Sequence, residues 1–239
     1  MIELFIMQWH QITATSWLVS LSVIGFWIGV SVYRRSSGKP LLHPLIIGTP
    51  FIAGVLALIS VDFDQYYKAN GLLNWLLGPA TVALAVPLSN YLKQISKLLP
   101  ILTFTVLSGG FIAAVSAISL ASWLTSDPIM ILSVAAKSVT TPIAMAITQQ
   151  LGGLITLITP IVLFTGITGI LVAPRVFHVV GLQDERWQGL ILGVTSHAIG
   201  TLKAFDKSPR CGAFSTIGMG LNGIWTSMFL VPMIQAFMA

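Results

Sequence analysis

Long apolar stretches separated by short polar connections dominate this chain. Measured against the roughly 20 residues that a membrane-spanning helix needs, they predict eight spans. Their bounds are 14–33, 41–60, 72–92, 99–121, 129–149, 154–177, 187–205 and 213–237. Because a helix satisfies its own backbone hydrogen bonds in lipid, the expected fold class is an all-α integral membrane protein. Residues 1–239 are predicted to form a single polytopic transmembrane domain.

Three of the eight spans carry polar or helix-breaking residues at mid-depth. The breaks are Gly78, Pro79 and Pro87 in the third span, Thr140, Thr141 and Pro142 in the fifth, and Thr195 to Thr201, including Gly200, in the seventh. Discontinuous helices of this kind are typical of secondary transporters. In the eight-span count the three broken spans run parallel, so an inverted repeat does not follow. The apolar stretch 2–9 or a re-entrant segment would have to supply another crossing.

The composition supports a membrane protein. Hydrophobic residues make up 55% of the chain and charged residues only 8%, whereas about a quarter of a soluble domain is charged. The single cysteine, Cys211, excludes an internal disulfide. The start lacks the basic region of a secretory signal, which predicts that the first apolar segment is retained.

The basic residues predict the orientation. Alternate connections place Arg34, Arg35, Lys39, Lys93, Lys97, Lys203, Lys207 and Arg210 on one side and Lys68, Arg175 and Arg186 on the other. The larger set is expected to be cytoplasmic, with both termini non-cytoplasmic. The net charge of +5 is scattered in short loops, so we expect a lipid bilayer and no nucleic acid as partner.

Lys137 is the most informative single residue. Between Lys97 and Arg175 the only charged residues are Asp127 and Lys137. Ten residues past Asp127, at about 1.5 Å per residue, the lysine lies about 15 Å into the hydrocarbon layer. A cation at that depth is a functional-site hypothesis by default. The alternative is a structural lysine that is satisfied by carbonyls at the Pro142 break or reaches the interface.

Several polar residues are predicted to share a substrate site with Lys137. The set is Ser138, Thr140, Thr141, Thr81, Thr195, Ser196, His197, Thr201 and Asn222. Hydroxyls in membrane helices often bond instead to carbonyls one turn earlier. His197 is the only histidine deep in a span, and two roles stay open for it: carrying a proton, or a hydrogen bond across helices.

The inventory does not favour an enzyme. The spans contain no carboxylate at mid-depth, no metal-ligand spacing and no phosphate-binding loop. Ser196 and His197 are neighbours that point about 100° apart on a regular helix, so no hydrolytic triad is supported. No cofactor and no metal are expected. The missing carboxylates also weaken sodium coupling, although carbonyls at broken helices could supply oxygen ligands.

Four ordered blocks resemble the LrgB/CidB family, which includes the plastid glycolate/glycerate translocators. They are residues 77–88, 137–144 with Gly152 and Gly153, 189–201, and 212–216. The chain departs from the family pattern at Leu202, Lys203 and Cys211. The resemblance implies one of two activities in a bacterial inner (cell) membrane. One is transport of small monocarboxylates such as pyruvate, glycolate or glycerate, by alternating access with proton coupling or facilitated diffusion. The other is holin-like control of autolysis with a small LrgA/CidA-type membrane partner.

The residues favour transport over the holin-like activity. A lysine beside hydroxyls and a broken helix suits one carboxylate, because charge-assisted hydrogen bonds combine with oriented backbone N–H groups. A lytic pore needs none of these features. A homo-oligomer is compatible with either activity.

Overall fold

The computed structural model describes residues 3, 6, 7, 16–83, 86 and 89–238. Within these residues the chain is all-helical and contains no strand. It divides into two compact units, residues 1–83 and 84–239.

Within residues 16–83 the first unit has four α-helices: α1 (Ser16–Arg35), α2 (Pro44–Leu58), α3 (Phe63–Ala69) and α4 (Gly71–Ala83). Helices α1 and α2 pack closely, because a Cβ on Gly48 would lie 2.7 Å from the Gly25 carbonyl oxygen. Chain direction changes by 117° between α2 and α3. The Ser22 hydroxyl, which lies 2.6 Å from the Tyr66 hydroxyl and donates to Asn70 Oδ1, ties α3 back to α1.

Seven α-helices are described within residues 89–238 of the second unit. They are α5 (Leu92–Leu124), α6 (Pro128–Val134), α7 (Thr141–Gln150), α8 (Ile155–Val179), α9 (Glu185–Lys207), α10 (Pro209–Trp225) and α11 (Val231–Met238), with a π-helical turn at Thr226–Leu230 joining the last two. One buried cluster packs α8 against the linker that follows α6 and against α7. Another packs α5 against α9 and α10.

The expected count of eight spans is not confirmed. Among the described residues, four helices are long and apolar enough to cross a membrane, or up to five if α2 and α3 form one span. The four are Trp17–Arg35, Leu92–Leu124, Ile155–Val179 and Pro209–Ala236. The multi-pass membrane assignment stands, and the segments that fail to cross explain the lower number.

The predicted seventh span, 187–205, is wrong as a crossing. In a straight helix Glu185 and Ser208 would be about 35 Å apart, yet the Ser208 hydroxyl donates to Glu185 Oε2 at 2.6 Å. Lys207 likewise contacts Gln188. Helix α9 therefore folds back at His197 into two antiparallel arms, 185–196 and 198–207, which we call hairpin 2.

The predicted fifth span, 129–149, also folds back. Its helices α6 and α7 are separated by the non-helical linker 135–140. The Leu154 amide donates to Ser133 Oγ at 2.6 Å, whereas 21 residues of straight helix would separate the two by about 30 Å. Residues 128–150 thus form a second re-entrant element, hairpin 1.

The two hairpins enter from opposite ends of α8. The base of hairpin 1 is joined to the start of α8 at Ile155, and the base of hairpin 2 follows its end at Val179. Both reach the middle of α8, where Val139 packs with Val162 and the Val162 carbonyl meets His197. The re-entrant segments therefore supply the inverted arrangement that the eight-span count lacked.

Candidate functional site

Each arm of hairpin 1 begins with a proline-containing helix start, α6 at the base of the hairpin and α7 at its tip. Pro128 opens α6, where the Asp127 carboxylate accepts from the Ile129 amide at 2.9 Å. Helix α6 ends at Val134, and Thr140 is extended, as is usual for the N-cap residue of a helix. Helix α7 therefore begins at Thr141, next to the predicted break at Pro142. The linker carries Lys137, Ser138 and Thr140 at the tip.

Lys137 is half-buried at this tip. Within the described part of the chain its ammonium group has no ion pair and no hydrogen bond. Its neighbours Ala136 and Ser138 are 0% and 4% exposed. An ammonium so placed lacks both full hydration and a counter-charge.

Three residues with hydroxyl groups follow Lys137 in the sequence, and none of these hydroxyls makes a hydrogen bond among the described residues. Thr140 is the N-cap residue of α7, yet its side chain makes no capping hydrogen bond. The Ser138 and Thr141 hydroxyls have no hydrogen-bond partner among the described residues. The expected return bond to a carbonyl one turn earlier is therefore absent at these described positions, which leaves all three groups available to a ligand.

Hairpin 2 turns at His197. This residue has φ 42° and ψ −126°, a backbone conformation that side chains other than glycine rarely adopt. Its ring is buried, and Nε2 lies 3.1 Å from the Val162 carbonyl oxygen on α8. Because a carbonyl only accepts, Nε2 carries the hydrogen. This is the hydrogen bond across helices that the sequence left open for His197.

Gly200 is not itself the break in hairpin 2. A Cβ at Gly200 would collide with the Leu192 carbonyl of the opposite arm. The residue therefore lets the two arms touch just below the turn, while the turn itself falls at His197. Within the predicted stretch 195–201, the helix is interrupted at His197 and not at Gly200.

The remaining polar residues of hairpin 2 face in different directions. Thr195 is exposed and donates to the Ile191 carbonyl at 2.7 Å. Ser196 is buried against Gly169 of α8, where a Cβ would collide with its hydroxyl. Thr201 is buried, donates to the His197 carbonyl and lies 3.0 Å from the Ser215 hydroxyl of α10. Ser196 and Thr201 are thus occupied in packing.

Asn222 lies between the two tips. Its side chain is 1% exposed, and Nδ2 donates to the Ser138 carbonyl at 2.9 Å and to the Val194 carbonyl at 3.4 Å. The residue predicted from its depth in the last span therefore contacts both hairpins at once.

The residues predicted in the third span, Gly78, Pro79 and Thr81, belong to the first unit, whereas both hairpin tips belong to the second. The expected break at Gly78 and Pro79 is wrong, because α4 continues through Pro79 to Ala83. Thr81 lies in α4, but its side chain is outside the described part. Pro87 lies outside the described residues altogether.

A polar cluster closes the base of hairpin 2, and sequence reasoning missed it. Besides the Glu185–Ser208 and Lys207–Gln188 contacts, Arg210 Nε donates to Gln94 Oε1 of α5 at 3.2 Å. The Arg186 guanidinium hydrogen-bonds to Asp184 and holds the pKa of that carboxyl below its usual range. The sequence predicted Arg186 on the side of the membrane opposite Lys207 and Arg210. The fold instead places all three at the base of hairpin 2.

We expect His197→Gly to be more stable than His197→Ala. Both variants lose the hydrogen bond to Val162, which is worth about 1 kcal/mol. Alanine keeps the strained backbone at φ 42°, whereas glycine removes a cost of about 1 to 3 kcal/mol. Thermal unfolding midpoints of the purified variants measure the difference. An alanine variant as stable as the glycine variant would show that the turn is not strained.

Two hairpins based at opposite ends of α8, together with four or five described helices long and apolar enough to cross a membrane, define a multi-pass helical membrane protein. Residues 22–237 match the LrgB-like family, and the chain belongs to that family.

Several relatives align with this chain over nearly the full length of both proteins. The chain is 33% identical to the uncharacterized protein YwbG of Bacillus subtilis, over 91% of this chain and 96% of the relative. It is 32% identical to an uncharacterized protein of Haemophilus influenzae, over 90% and 92%, and 28% identical to the holin-like protein CidB of Staphylococcus epidermidis, over 92% and 96%. No solved structure matches the chain.

Proposed function

We propose that this protein carries a small monocarboxylate, of the pyruvate, glycolate or glycerate class, across the membrane. The observation that carries the proposal is the half-buried Lys137 ammonium, which has no counter-charge among the described residues. A cation costs about 2.5 to 3.5 kcal/mol at mid-membrane even on lenient scales. A bound monoanion offsets that cost, and the proposal assigns the chain no catalytic reaction.

The start of α7 supplies the rest of the anion site. The first N–H groups of a helix have no partner within it, and the helix dipole favours negative charge there. The N–H groups of Thr141 and Ile143 are in this position, while Pro142 has none. Together with the Ser138, Thr140 and Thr141 hydroxyls, they give a carboxylate several donors on one side and Lys137 on another.

The opposed hairpins give a route for alternating access. Each hairpin is based at a different end of α8, and both tips meet at Asn222. Movement that exposes the tip region first to one end and then to the other would release the anion on the opposite side. A continuous pore is not needed for this step.

The basic residues of the second unit support an orientation in the membrane. No Lys or Arg of this unit falls at the end where hairpin 1 is based. The end where hairpin 2 is based carries Lys93, Lys97, Arg175, Arg186, Lys203, Lys207 and Arg210. By the positive-inside rule that end is cytoplasmic. The C-terminus is then non-cytoplasmic, and hairpin 1 enters from outside.

A second candidate function is favoured by the relatives. The alignment with the holin-like protein CidB of Staphylococcus epidermidis covers 92% of this chain. On that basis the protein would act as a holin-like regulator with a small LrgA/CidA-type membrane partner. The names of the relatives support this candidate better than they support monocarboxylate transport, whereas the hairpin tips and the unpaired lysine support transport.

Reconstitution separates the two functions. Proteoliposomes loaded with a fluorescent dye are given labelled pyruvate, glycolate or glycerate. A carrier is expected to show saturable uptake of at least one acid without dye release. Dye leakage without acid selectivity, or activity only when a small partner is added, would support the holin-like candidate and end the carrier proposal.

The coupling ion is tested by the same assay. Proton coupling through His197 predicts that the pH dependence of uptake changes in His197→Gln, whereas facilitated diffusion predicts no change. The hydrogen bond from Nε2 to Val162 favours a positioning role. We therefore expect an unchanged pH profile with a lower protein stability.

A further inference from the structure

Asn222 is in contact with both re-entrant elements although it belongs to neither. It lies on α10, and its Nδ2 reaches one carbonyl from the tip of hairpin 1 and one from the tip of hairpin 2. The two acceptors, Ser138 and Val194, are 56 residues apart in the sequence. One amide group therefore joins two elements that enter from opposite ends of the unit.

Both acceptors are carbonyls that a helix would not satisfy. Ser138 lies in the linker between α6 and α7. Val194 lies in the last turn of the first arm of hairpin 2, which ends where His197 leaves helical geometry, and carbonyls in a last helical turn have no partner within the helix. Buried carbonyls without partners are costly, so the two hydrogens of Nδ2 stabilise both tips in their present positions.

Helix α5 fixes the amide from the other side. A Cβ on Gly110 would lie 2.5 Å from Asn222 Oδ1 and 3.1 Å from Trp225 Cε3. Asn222 Oδ1 is buried and has no hydrogen-bond donor within the described residues. The amide thus gives up a hydrogen bond at its oxygen while keeping both bonds at its nitrogen. A buried oxygen without a donor costs free energy, and the two hydrogen bonds made by the nitrogen must offset that cost.

We propose that Asn222 is an interlock: a positioning residue whose single amide holds both hairpin tips in place, so that losing this amide loosens both tips and not one alone. It acts through the tips and is not a ligand of the substrate. The meaning of the interlock for a transport cycle rests on the proposed function. In that cycle it would keep both tips closed in the state between outward-facing and inward-facing access.

Hydrogen–deuterium exchange of the full chain in lipid nanodiscs tests the interlock without any transport assay. Asn222→Leu keeps a similar size but removes both N–H groups. We expect amide exchange to rise at least about fivefold in both tip segments, 135–141 and 194–199, because local opening then needs one less shared contact. An increase in one segment alone, or in neither, would overturn the proposal.

Two glycines provide a second variant and its control. Gly110→Ala keeps Asn222 but pushes against its Oδ1, and we expect it to raise exchange in both tips as well. Gly220→Ala, on α10, adds a Cβ that meets no atom within 4 Å, and should change neither tip. Equal exchange in the two glycine variants, both folded, would count against the interlock.

The two proposals fail separately. If both tips respond but the unmodified protein takes up no carboxylate, the interlock stands and the carrier function is wrong. If the protein transports and the tips do not respond, the carrier stands and the interlock is wrong.

Discussion

Lys137→Met is expected to reduce carboxylate uptake by about 10- to 150-fold, the range that corresponds to losing a hydrogen bond to a charged group. Methionine keeps the length of the side chain and removes the charge. Because the ammonium has no partner in the described protein, its removal should leave the fold intact. Initial uptake rates across a substrate series measure the effect.

Lys97→Met is the matched control for this variant. Lys97 is exposed near the start of α5, far along the helix from the hairpin tips. Removing its charge changes the net charge of the protein by the same amount without touching the site. Uptake in Lys97→Met should equal that of the unmodified protein. Normal uptake in Lys137→Met would remove the proposed anion site, whatever the control shows.

Lys137→Arg refines the same test. Arginine keeps the positive charge but is planar and larger than an ammonium group. We expect it to retain part of the binding and to raise the substrate concentration needed for half-maximal uptake. If Lys137→Arg and Lys137→Met were equally inactive, positive charge alone would not be sufficient, and the site would require the compact ammonium group of lysine.

Gly193→Ala is expected to destabilise the protein by about 1 to 3 kcal/mol, as overpacking of a close contact does. A Cβ on Gly193 would lie 2.9 Å from the Met219 amide nitrogen and would collide with the Ser215 carbonyl oxygen. These are backbone atoms of α10, so no side chain can rotate away. Hairpin 2 would have to separate from α10, which also carries Asn222.

Gly220→Ala is the control for Gly193→Ala. Gly220 lies on α10, and a Cβ there would meet no atom within 4 Å. Alanine favours a helix over glycine by up to about 1 kcal/mol, so this variant should be as stable as the unmodified protein or more stable. Thermal unfolding midpoints in detergent compare the two. Similar midpoints for both glycine variants would contradict the close packing of hairpin 2 on α10.

Fold class followed from the sequence, because the cost of burying polar backbone in lipid leaves few alternatives to helices. Apolar runs of sufficient length marked α1, α5, α8 and the α10 region directly. The number of crossings did not follow. Apolar residues of hairpins 1 and 2 are buried by neighbouring helices, and a hydropathy pattern does not distinguish that burial from contact with lipid.

The candidate site was predicted in part. Lys137 and Pro142 identify the tip of hairpin 1 from sequence, since a charge and a helix break are both costly at mid-membrane. The roles of Thr201 and Ser196 were not predictable, because a hydroxyl that packs against Ser215 or Gly169 looks the same in sequence as one that binds substrate. Gly110 was missed entirely, since its importance depends on Asn222, 112 residues further along.

By itself the sequence determined that this protein is a helical membrane protein with an isolated cation and broken helices, because those properties come from local composition and short-range backbone chemistry. Only the tertiary structure decided that two segments fold back, enter from opposite ends and meet at one asparagine. Those facts depend on contacts such as Ser208 with Glu185 and Leu154 with Ser133. Each joins residues more than 20 positions apart, and no local pattern specifies such a pairing.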